Sequence, residues 1–146
     1  MSRPAVGVIG LGIMGSAMSA NLVKAGFAVH GYDIVPALRS ALREAGGHPA
    51  ESAAEVAQRT EIVITSLPSA EALHKVASEL AARCVVIETS TLPIDDKNRA
   101  FKTPEARGIP LIDCPLSRPG PPAAPAGRRA CSYRASTSRS TSSRAR

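Results

Sequence analysis

Ala5-Val6-Gly7-Val8-Ile9, then Gly10-Leu11-Gly12-Ile13-Met14-Gly15, then a small-residue stretch to Ala25 and a run from Phe27 to Tyr32 that closes on Asp33: this segment decides the fold. The Val/Ile-rich opening reads as a short strand. It delivers the backbone to Gly10, where no side chain obstructs a tight turn, and Gly12 lets the main chain approach a diphosphate closely. Gly15 then lets helix and strand pack together. The opening amides of that helix have no intrahelical partner and sit at the positive end of its dipole, so phosphates can be held there without a lysine.

Glycine turns serve many loops, so the surroundings of this one matter. The helix carries Met14, Met18, Leu22 and Ala25 at helical spacing and stops at Gly26, a residue suited to a left-handed cap. Phe27 to Tyr32 reads as a second strand. Asp33 lies where a carboxylate can accept hydrogen bonds from the adenosine ribose and repel a 2′-phosphate, which favours NAD over NADP. A solvated aspartate ending a strand is the plainer reading of the same residue.

The chain has 146 residues, enough for one domain. No charged and apolar leader precedes the first strand, and no apolar stretch approaches membrane-spanning length, so a cytoplasmic protein with no membrane partner is expected. Cys84, Cys114 and Cys131 form no C-x-x-C pair, which argues against a metal site. With two Phe, two Tyr and no Trp, stacking on bases is disfavoured, and nucleic acid with it. The net charge of +6 is concentrated at one end, because residues 118–146 hold seven arginines and no acid. That segment also lacks Leu, Ile, Val, Met and Phe, so a disordered basic tail (118–146) is expected to follow one folded domain (1–117).

Beyond Asp33 the pattern alternates. Pro36 opens a helix marked by Leu38, Ala41, Leu42 and Ala45 and ended by Gly46-Gly47. A short strand near His48 to Ala50 precedes Ser52 and Glu55, spaced as a capping box for a helix through Gln58. Glu61 to Leu67 is a strand, and Pro68 and Ser69 open a helix with Leu73, Val76, Ala77 and Leu80 inward. Val85 to Glu88 is the next strand. A helix from Ile94 to Lys102, interrupted by Pro104, leads to a last strand from Ile109 to Asp113. Nearly all-apolar strands separated by helices predict an α/β, doubly wound parallel sheet in the order 3-2-1-4-5-6, covered on both faces, with ligands beyond the carboxyl ends of the strands.

The loops at those ends, taken together, resemble the β-hydroxyacid dehydrogenases, a family that includes 3-hydroxyisobutyrate and 6-phosphogluconate dehydrogenases. The resemblance rests on Gly10-Leu11-Gly12-Ile13-Met14-Gly15, Leu67-Pro68, Glu88-Thr89-Ser90-Thr91 with Pro93, and Asp113-Cys114-Pro115-Leu116-Ser117. It implies a Rossmann domain and hydride transfer between NAD(P) and a small 3-hydroxy acid. It also implies that Leu67, Pro68 and Thr91 lie near the cofactor and that Ser90, Thr91 and Ser117 line the substrate side. Ser90 and Thr91 could equally cap the following helix.

Where the family has a glycine pair after Ser117, this chain reads Arg118-Pro119-Gly120, and proline has no amide hydrogen to offer a substrate carboxylate. The family continues into further strands, a linking helix and a helical domain that carries a catalytic lysine and makes the dimer. The last lysine here is Lys102, so the resemblance implies an incomplete sheet, no catalytic residue in this chain, and an oligomer not expected to persist. The abrupt change after Ser117 reads as a shifted frame, with an evolved basic tail for nucleic acid or anionic lipid as the alternative. An enzyme lineage, a dinucleotide-binding module without catalysis and a nonfunctional product therefore compete. Elsewhere, His30, His48 and His74 do not cluster in sequence, and Asp95-Asp96 suit the start of a helix dipole.

Overall fold

Parallel strands need crossover connections, and the chain supplies a helix in each. In the computed structural model, which describes residues 3–80 and 83–116, the order is β1 (Val6–Ile9), α1 (Ile13–Lys24), β2 (Val29–Tyr32), α2 (Pro36–Glu44), β3 (His48–Pro49), α3 (Ala53–Arg59), β4 (Ile62–Thr65), α4 (Ala70–Glu79), β5 (Val85–Glu88), α5 (Ile94–Ala106) and β6 (Leu111–Asp113). All pairings are parallel and the sheet runs β3-β2-β1-β4-β5-β6, as expected from the sequence. The tail from 118 and Ser117 lie outside the described residues.

The two faces carry separate cores. Val8, Leu11, Val29 and Leu42 form one, with Leu22, Val23, Phe27 and Leu38 from around α1 and α2 against it. Ile9, Val56, Val63, Leu73, Val86, Phe101 and Leu111 anchor the larger one beneath α3, α4 and α5. The stripe Leu73, Val76, Ala77, Leu80 is buried as its spacing requires. On the first face the cover stops short. Ile64, Ile87 and Ile112 stand in one register row with buried Val8, yet all three are only half-buried, because α1 and α2 belong to the half of the sheet containing β2 and β3.

Helix ends follow local chemistry. Helices α1, α2 and α5 all close with paired bonds in which the second residue past the cap reaches back: Phe27 N to Leu22 O, Gly47 N to Leu42 O and Ile109 N to Pro104 O. Each uses a left-handed glycine, Gly26, Gly46 or Gly108. Ser52 Oγ accepts from Glu55 N at 3.1 Å, while Glu55 returns its bond to Glu51 N, one residue before the cap.

Two expectations are corrected. The buried side of α1 is Gly15 and Ser19 with Leu22 and Val23 half-buried, whereas Met14 and Ala25 are exposed. Small residues make the closest contact there, so apolarity marked a neighbouring stripe. Helix α5 also continues through Pro104 to Ala106. Pro104 falls three and four positions after Phe101 and Ala100 on the buried side, so its ring adds to the core while its missing amide costs one bond near the helix end.

The fold brings together two histidines that the sequence separates. His30 and His48 are register partners on β2 and β3, with ring centroids 5.1 Å apart. Burial, then His48 and Arg59, hold the His30 imidazole below its ordinary value near 6.5, against the opposing pull of Glu55. The unfolded chain therefore takes up this proton first as the pH drops. His30 contributes stability above about pH 6.5 that is lost as the pH falls through its lower folded-state value. In thermal melts at pH 7.5 and 5, the wild type should lose more stability on acidification than His30→Gln, a difference of about a few degrees.

Candidate functional site

The turn after β1 is built from backbone pressed on backbone. A Cβ on Gly15 would lie 1.7 Å from the Gly10 carbonyl oxygen, and one on Gly10, whose φ is +92°, would lie 2.1 Å from the Ser66 carbonyl oxygen. Both positions therefore require glycine for the fold itself. Gly12 differs: a Cβ there meets nothing within 4 Å. Its missing side chain leaves open space on the outer side of the turn, at the N-terminus of α1. Gly12 is the cap of that helix, it has no side chain to accept from the first-turn amides, and no acid occupies the first turn. The helix start is thus a set of outward amides with positive partial charge and a clear approach.

Asp33, at the end of β2, reaches across to this turn. Its Oδ2 accepts from Leu11 N at 2.8 Å and its Oδ1 from Val35 N at 2.9 Å. A carboxylate offers about four acceptor positions, so lone pairs remain for a ribose diol. Ile34, the next residue, is 75% exposed and presents no cation to a 2′-phosphate. Arg39 is turned over the Tyr32 ring and toward Glu51.

These residues border a cleft of about 720 Å³. Gly10, Gly12, Ile13 and Met14 come from the first turn, Tyr32, Asp33, Ile34, Val35 and Leu38 from the second strand and its helix, and Ser66, Leu67, Pro68, Ala72, Lys75 and Val76 from β4 and α4. It opens beyond the carboxyl ends of β1, β2 and β4, the point at which the strand order reverses.

Residues 5–131 match the family model described as the NAD binding domain of 6-phosphogluconate dehydrogenase. The chain belongs to that family. It is 33% identical over 116 residues to the "Probable 3-hydroxyisobutyrate dehydrogenase" of Mycobacterium bovis, covering 77% of this chain and 40% of that protein. It is also 33% identical over 123 residues to the mouse mitochondrial 3-hydroxyisobutyrate dehydrogenase, covering 80% of this chain and 37% of that one. The solved structure of the Mycobacterium tuberculosis 3-hydroxyisobutyrate dehydrogenase with L-serine superposes with a TM-score of 0.74 at 32% identity, covering 80% of this chain and 41% of that chain. This NAD-binding domain thus spans about two fifths of the length of these relatives.

The loop after β5 is tied to the cleft's border at Leu67, and the loop after β6 is tied in turn to the loop after β5. Ser90 is buried, and its Oγ accepts from Leu67 N at 2.9 Å, which ties the loop after β4 to the loop after β5. Thr91 is exposed and does not border the cleft. Neither residue caps α5, whose cap is Pro93.

Sequence reasoning missed Lys97. Its side chain is 3% exposed and its Nζ lies 2.7 Å from both Glu88 Oε2 and Asp113 Oδ1. Burial pulls the ammonium down, but bonds to Asp113 and Glu88 and their charges outweigh it, so Lys97 is held above its ordinary value and stays protonated. A signal was available. Lys97 shares a helical stripe with Ala100, Phe101 and Pro104, and a charge on a buried stripe needs a partner. Both acids end strands. Among the described residues no group of three or more side chains suits a metal ion.

The glycines separate stability from binding. Gly12→Ala should change unfolding free energy by under about 1 kcal/mol yet weaken NADH at least about tenfold, because the new methyl group enters the open space beside the first amides of α1. Gly15→Ala should lose both, read by thermal melts and NADH fluorescence titration.

Proposed function

We propose that this chain holds NAD with its diphosphate on the amides at the start of α1, its adenosine ribose on Asp33, and its nicotinamide end toward Leu67 and Pro68 and, past the edge of the cleft, the exposed Thr91. The observation that carries this reading is the open space at Gly12 beside the uncapped start of α1. Ile34, Val35 and Leu38 on one side and Ala72 and Val76 on the other make an apolar slot suited to a flat base. The Asp33 carboxylate would accept the ribose hydroxyls and repel a 2′-phosphate, favouring NAD over NADP.

Within the longer relatives' plan, the domain serves an oxidoreductase that moves hydride between the nicotinamide and a small 3-hydroxy acid. Support comes from similar proteins named 3-hydroxyisobutyrate, L-threonate and L-serine dehydrogenases. Bound here, the nicotinamide would supply the hydride acceptor or donor. The residues of this chain would orient it, with Ser90 and Ser117 on the substrate side. The cysteine spacing supports a reducing, cytoplasmic setting.

A second reading, binding without turnover, has its own observation. Lys97 is sequestered between two carboxylates and held protonated, so it cannot serve as the proton acceptor for a substrate hydroxyl.

Titration of the chain with NADH and NADPH tests the cofactor reading. NADH should bind at least about tenfold more tightly, and Asp33→Asn, which keeps an acceptor for Leu11 but loses the charge, should narrow that gap severalfold. Equal affinity in the wild type would rule out the assignment of Asp33. Reduction of NAD on adding 3-hydroxyisobutyrate or L-serine would decide between turnover and binding alone.

A further inference from the structure

The last residues of three adjacent strands form one register row: Thr65 of β4 beside Glu88 of β5, and Glu88 beside Asp113 of β6. In the same row β1 places Ile9. The row is therefore apolar at β1 and turns polar toward β6, on the face beneath α5, where Lys97 descends. Glu88 is fully buried and Lys97 nearly so, and two carboxylates share the single ammonium. An arrangement of this kind is poor material for stability alone, because an apolar replacement of similar volume often serves as well. What it supplies is fixed geometry.

The bonds radiating from the trio reach every loop on this side of the site. Glu88 Oε1 accepts from Ser90 N at 2.9 Å, and Ser90 Oγ accepts from Leu67 N at 2.9 Å. The Glu88 carbonyl accepts from Cys114 N at 2.8 Å and the Thr89 carbonyl from Leu116 N at 3.2 Å. Lys97 thus sits at the hub of a relay that joins the loops after β4, β5 and β6. In a doubly wound sheet whose adenosine half lies over β1 and β2, these are the loops left for the other half of a dinucleotide.

We infer that Lys97 is a positioning residue for the nicotinamide half of the site: by drawing Glu88 and Asp113 together, and through Ser90 the Leu67 loop, it sets the surface that receives the nicotinamide ring. The inference rests on the cofactor reading above. It assigns Lys97 no contact with the cofactor. Its effect falls on one half of the ligand, which distinguishes it from a contribution to folding alone.

The test compares NADH with ADP-ribose, which keeps the adenosine and diphosphate but lacks the nicotinamide. Wild-type chain should bind NADH more tightly than ADP-ribose. In Lys97→Met, NADH affinity should fall about tenfold while ADP-ribose stays within about twofold. Ser90→Ala, which removes only the end of the relay, should shift the same ratio in the same direction. If Lys97→Met does not fold, Ser90→Ala decides by that criterion. NADH and ADP-ribose weakening together, or neither weakening, would overturn the inference. A wild-type chain that binds both equally would remove the nicotinamide half and the inference with it, whereas one that binds neither would overturn the cofactor reading first.

Discussion

The approach of Gly15 to the Gly10 carbonyl is the constraint from which the rest of the domain follows. No other residue permits it, since any Cβ would occupy the oxygen's position. Once made, it fixes the rotation of α1, so that Ser19 faces inward and Met14 and Ile13 turn outward to the cleft. It also aims the first amides of the helix at the space beside Gly12. Asp33 braces the same turn from the β2 side through Leu11, so the acid that ends β2 also holds the glycine turn in shape. The three glycines of this turn differ in kind: Gly10 and Gly15 are required by backbone contact, and Gly12 leaves open space.

The β4–β6 half of the sheet's carboxyl edge is organised by charge rather than by close backbone approach. Parallel strands in register bring Glu88 and Asp113 side by side, and α5 lowers Lys97 onto them. Glu88 Oε2 holds Lys97 as an ion pair rather than as a well-directed hydrogen bond, and the neighbouring Thr65 Oγ1 is buried without a partner. The polar row is therefore tightly held at its β5–β6 end and looser toward β4. Ile64, Ile87 and Ile112, on the reverse face of the same strands, remain half-buried, so this half of the sheet is finished less completely than the half under α1 and α2.

By itself the sequence determined the element order, the parallel sheet with its 3-2-1-4-5-6 arrangement, the glycine turn after β1 and the acidic end of β2. Those features are written in local signals: glycine at fixed spacing, apolar runs of strand length, and glycine or serine at helix ends, each acting within a few residues. The glycine spacing already marked Gly15 as the contact with the strand, but only the tertiary structure showed that Ser19 shares that side and that Met14 lies off it, because small residues in close contact leave no hydropathy pattern. Likewise it alone paired His30 with His48 and Lys97 with Glu88 and Asp113. Those partners are distant in sequence and meet through strand register and helix descent, and the strength of a buried charge pair depends on distance and solvent exclusion, which appear only when the chain is folded.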